Sequence, residues 1–112
     1  MKTVALPSGK TVNVPSTGDD WQLYTSSMAC GRAAAALTAA LVRVAKEIDR
    51  NVAKGYRPTE AGASELYRTV IEPVMSKYAS FGAYDTEPRG VAYTAIERVT
   101  TTLTGESAHL FF

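Results

Sequence analysis

The chain has one cysteine, one histidine and one tryptophan, and a formal net charge of only +1 over 112 residues. A single cysteine excludes an internal disulfide, and one cysteine with one histidine removes most transition-metal sites. The balance of 12 cationic against 11 acidic side chains removes the broad electrostatic case for a partner such as nucleic acid or a membrane surface. Long apolar runs are missing too. The charge-free stretch of the Ala-rich region, between Arg32 and Arg43, spans ten residues, whereas a transmembrane helix needs about 20. The residues from Met1 to Pro7 hold no long apolar segment, so no secretory leader is expected. A lone thiol fits a reducing compartment. The expected location is the cytoplasm, or host cytoplasm or virion for a viral protein.

What is present is an ordinary globular composition, 46% hydrophobic and 21% charged, which excludes intrinsic disorder. The length predicts one domain, residues 1–112. A chain of this size buries only about 65% of its unfolded surface. Alanine supplies 17 of the residues and little buried area each. A core this limited suggests support from a partner subunit.

Residues 3–14 predict a β-hairpin. Val4 and Leu6, then Val12 and Val14, alternate with polar or small neighbours, and Pro7-Ser8-Gly9 supplies the turn chemistry. A long helix is expected over residues 19–54, with Thr17 as N-cap, Asp20 in the reciprocal capping role and Gly55 as the stop. Leu37, Leu41, Val44, Ile48 and Val52 form one stripe of it. Trp21, Tyr24, Met28, Gly31 and Ala35 form a second. Such a helix would be about 50 Å long, against a diameter of about 35 Å for a compact domain of this size. It must therefore kink, with Gly31 the expected point, or protrude and be covered by other copies.

Thr59 begins a second helix, residues 59–80, which Pro73 should kink or divide. A third is expected over 86–104, with fraying at Thr100-Thr101-Thr102. The tail, 105–112, ends on Leu110-Phe111-Phe112. The fold class is therefore mainly α: a small bundle of three or four helices, one long and Ala-rich, with an N-terminal hairpin.

Catalytic chemistry finds little support. Cys30 lies in the Ala-rich segment, where a small buried thiol is the default. His109 lies in the tail, where a general base would be poorly held. Glu47 and Asp49 are two apart on a helix and face different ways, and no phosphate-cradling glycine loop is present. The expectation is a protein with no catalytic residues, no metal and no cofactor. Histone-like, coiled-coil, helix-turn-helix and metal-binding bundles each have signatures that this sequence lacks.

Two features suggest binding. Gly31, Ala35 and Ala39 recur every fourth residue and would let a second helix approach closely. Together with Leu37, Leu41 and the Phe111-Phe112 tail, they are the candidate subunit interface. Lys77, Phe81, Tyr84, Arg89, Tyr93 and Arg98 interleave cations with aromatics, and Arg32 stands alone in an apolar helix. Rings can stack on bases and Arg can hold phosphate. These seven are the candidate site for a nucleotide-like anionic small molecule. The leading expectation is a non-catalytic assembly protein forming a homo-oligomer, for example an accessory component of a virus or phage particle. The alternative is an oligomeric module that sequesters the nucleotide-like anion. Neither reading involves a membrane or nucleic acid.

Overall fold

In the computed structural model the described residues are 1–23, 28–78 and 86–111, with backbone alone described for 28–30, 86 and 87. The architecture is mostly helical, with an N-terminal two-stranded antiparallel hairpin. Strand β1 (Lys2–Ala5) pairs with β2 (Thr11–Val14) in the register Lys2↔Val14 and Val4↔Val12. Gly9 closes the turn at φ +91°, a conformation costly for residues with a Cβ. Leu6, Val12 and Val14 are buried, so the hairpin has an apolar anchor that two isolated strands would lack.

The long helix α1 is Met28–Ala53, later in starting than the sequence suggests. Thr17 and Asp20 do form the reciprocal cap: the Asp20 N–H donates to the Thr17 hydroxyl, and the Thr17 N–H to the Asp20 carboxylate. They cap only a local turn, which closes around Gln22, where φ is +57°. Trp21 fixes this turn against the helix. Its side chain is fully buried, and its indole N–H donates at 3.0 Å to the Thr38 hydroxyl, which donates at 2.8 Å to the Pro15 carbonyl. That anchor folds residues 15–21 back on α1 instead of extending them along its axis. The later start also settles the length conflict. At 26 residues, α1 is about 39 Å long, within the 42 Å long axis of the molecule. The helix runs through Gly31 without a break. Gly55, at φ +88°, terminates it as expected, with the Gly55 and Tyr56 N–H groups donating to Val52 and Asn51 carbonyls.

The second helical rod is α2 (Glu60–Leu66), a π turn (Tyr67–Ile71) and α3 (Glu72–Lys77). Thr59 caps it, accepting from the Gly62 N–H at 3.0 Å. Pro73 has no N–H and its ring crowds the preceding turn. The rod responds with the widened turn just before it, where the Glu72 N–H reaches back to the Tyr67 carbonyl.

Helix α4 (Thr86–Thr104) does not fray at its threonines. The Thr100 and Thr104 hydroxyls donate to the carbonyls of Ile96 and Thr100, so they bond within the helix. Central α1 packs against α4, the π turn, α3 and β2. Leu37, Leu41, Val44, Ile71, Ile96 and Val99 fill the space between them. Among the described residues, no helix is long and apolar enough to cross a membrane.

Candidate functional site

The candidate interface residues separate into two groups. Leu37 and Leu41, at 1% and 0% exposure, are committed to the core of the protomer. Gly31, Ala35 and Ala39 lie on the opposite, exposed face of α1, with half-buried Ala36 and Val42 beside them. This follows from helical periodicity: positions 37 and 41 point about 120° to 160° away from 35 and 39 at 100° per residue. Arg32 is exposed on the outer face and has no carboxylate partner among the described residues. Arg43, Lys46 and Arg50 continue that face as a basic end, with Glu47 pairing to Arg50.

The tail folds back along α4. The Ala108 N–H donates to the Thr101 hydroxyl, and the Leu110 N–H donates at 2.8 Å to the Glu97 carboxylate. Leu110 is buried, and Phe111 stacks on Tyr93 with ring centroids 4.6 Å apart. Phe111 is thus engaged within its own protomer, while Phe112 lies outside the described residues.

The candidate ligand residues are spread over the surface. Phe81 and Tyr84 lie outside the described residues. Tyr93 is held between Phe111 and Tyr67, whose ring centroid is 4.7 Å away. Arg89 pairs with Glu72 at 2.8 Å. Burial opposes the Arg89 charge, but the Glu72 carboxylate outweighs it and raises the pKa. Burial, and then the same carboxylate, push the Tyr67 hydroxyl well above the ordinary tyrosine range. That hydroxyl is buried without a hydrogen bond of ordinary geometry among the described residues. Glu72, distant in sequence from Arg89, was not among the candidates, because nothing in the spacing of residues 72 and 89 reveals their contact. Lys77 is exposed, with its ammonium 5.6 Å from the centroid of the Tyr78 ring.

Arg98 sits elsewhere, in a trough that sequence periodicity did not reveal. One half, about 550 Å³, is lined by Met1, by Thr11, Val12 and Asn13 of β2, by Thr94, Glu97, Arg98, Thr101 and Thr102 of α4, and by the tail at Ala108 and His109. The other, about 450 Å³, continues past Arg98 to Val91, Gly90 and Pro15. Of the other described candidates, Arg32, Lys77, Arg89 and Tyr93 line neither half. The one hint in the sequence was the concentration of threonine in α4. Among the described residues no group of three or more His, Cys, Asp or Glu side chains is placed to hold a metal ion. In comparisons with known proteins the chain matches no family model, no curated protein and no solved structure.

Proposed function

We propose that the protein is a non-catalytic helical assembly subunit that self-associates through the outer face of α1. The observation that carries this reading is the exposure of Gly31, Ala35 and Ala39 on one flank, beside half-buried Ala36 and Val42. Small side chains at this spacing permit close backbone approach, while Arg32 on the same face keeps its guanidinium in solvent by extending past the contact. Two copies crossing antiparallel between Ala35 and Ala39 would place their Lys46 and Arg50 on opposite sides of the crossing. An accessory component of a larger particle is the kind of role such a subunit serves.

Ala35→Arg tests it directly. Ala35 is exposed, so the longer side chain has room in the isolated protomer but not in a close helix pair. The expected result is unchanged helical content by circular dichroism, with native mass falling from an oligomer to a monomer. An unchanged mass, or a wild-type protein that is already monomeric, overturns the proposal.

A further inference from the structure

The hairpin has a free edge beside α4. The Leu6 N–H donates to the Lys10 carbonyl at 2.8 Å, which makes Leu6 and Lys10 a hydrogen-bonded pair. Antiparallel alternation then makes Val4↔Val12 and Lys2↔Val14 the next bonded pairs. Thr11 and Asn13 therefore turn their main-chain N–H and C=O groups away from β1. Among the described residues, neither has a main-chain hydrogen bond. It is β2 that packs beside α4, and the half of the trough lined by Thr11, Val12 and Asn13 runs between them; the other half runs between α4 and Met1, Pro15, Asp20 and Gln22.

Length and charge define what fits. Beside β2 the α4 floor runs from Thr94 to Thr102, about 12 Å, the span of a strand of about four residues, which matches the four of β2. Arg98 lines both halves of the trough, is exposed, and has no carboxylate partner among the described residues. The acids nearby are already engaged. Glu97 accepts from the Leu110 N–H, and Asp20 from the N-terminal ammonium, Ser16 and Thr17. The remaining floor is Val91, Ala95 and the hydroxyl-bearing Thr94 and Thr102, suited to small or β-branched side chains on alternate residues.

We infer that this trough docks an extended segment of another protein, which adds to β2 as a third strand through Thr11 and Asn13 and places a carboxylate side chain against Arg98. Main-chain bonds to the free edge give such docking its affinity, and the side-chain contacts give it selectivity. The site lies on β2 and α4, apart from the outer face of α1, so it stands or falls independently of the self-association proposed above.

The probes are two pools of capped hexapeptides of β-branched and small residues, one with glutamate fixed at a central position and the other with lysine. Binding is followed by amide NMR shifts on the full-length protein. The glutamate pool should bind and shift the Thr11 and Asn13 amides, and the lysine pool should not. Arg98→Glu should invert the preference. Thr11→Pro removes an edge N–H that β1 does not use, and should weaken binding about tenfold. Thr94→Tyr, which fills the floor and leaves the hairpin ladder alone, should weaken it comparably. It guards against a Thr11→Pro protein that fails to fold. The inference is overturned if neither pool binds at about 1 mM, if the shifts map away from β2, or if Thr94→Tyr and Arg98→Glu leave binding unchanged. A fall in native mass on Thr11→Pro would also overturn it, since the occupant would then be a second copy of this chain.

Discussion

Asp49 on α1 accepts two hydrogen bonds from Ser8 at the tip of the hairpin, 41 residues earlier: one from the backbone N–H at 2.9 Å and one from the hydroxyl. The carboxylate is only 2% exposed as a residue, so these bonds replace water around a buried charge. The contact ties the turn to the C-terminal part of α1. Ser8→Ala removes one bond and leaves the other, and should cost about 1–2 kcal/mol. Asp49→Ala removes both and opens a cavity, and should cost more. Urea unfolding measures each; equal stabilities for wild type and Ser8→Ala would show that the pin is absent in solution.

Thr38 links Trp21 to Pro15 through its hydroxyl. Thr38→Val keeps the shape but leaves a buried indole N–H and a buried carbonyl without this partner. The expected loss is about 1–3 kcal/mol, seen as a lower urea midpoint. Tryptophan fluorescence should shift as the anchor loosens, while Thr38→Ser, which keeps the hydroxyl, should hold the spectrum near wild type.

Phe111 and Tyr93 form the stacked pair that docks the tail. A double-mutant cycle with Phe111→Ala and Tyr93→Ala should give a coupling of about 0.5–1.5 kcal/mol. Strictly additive losses would mean that the rings do not meet. Phe111→Ala should also speed exchange of the Leu110 amide, whose acceptor is Glu97.

Asp20 predicts a pH dependence. The N-terminal ammonium, and then the Ser16 and Thr17 N–H groups, hold its carboxyl well below the ordinary aspartate range, against a smaller opposing effect of burial. A depressed folded-state pKa stabilises the fold at pH values above the unfolded value, about 4, and that contribution is lost as pH falls further. Asp20→Asn should therefore be less stable than wild type at about pH 6, with the gap narrowing towards about pH 2. The pair of urea midpoints at the two pH values checks this. A gap that stays constant would contradict the assignment, and acetylating the N-terminus should narrow the gap at the higher pH.

Local signals were legible in the sequence because local physics decides them. Gly9 and Gly55 adopt the left-handed conformations that their turn and stop require, at φ +91° and +88°. Thr59 caps its helix, and the bounds 86–104 hold for α4. The alternation of Val12 and Val14 with polar neighbours marks the buried face of β2. The distortion caused by Pro73 was legible too, though not its form as a π turn over residues 67–71.

Periodicity located the two faces of α1 but not which of them the protomer would bury. Leu37 and Leu41 went to the core with the bulk of the apolar area, leaving Gly31, Ala35 and Ala39 outside. The start of α1 lies beyond the Thr17–Asp20 cap, which is real, because the burial of Trp21 against Thr38 outweighs continuing the helix. Composition and short-range spacing thus determined a mainly helical chain with an N-terminal hairpin, since caps, turns and stripes act over a few residues. Only the tertiary structure decided the Arg89–Glu72 pair, the tail on Tyr93, the Ser8–Asp49 pin and the trough beside Arg98. Each of these joins residues far apart in sequence, and such contacts depend on how the elements pack, which no local spacing encodes.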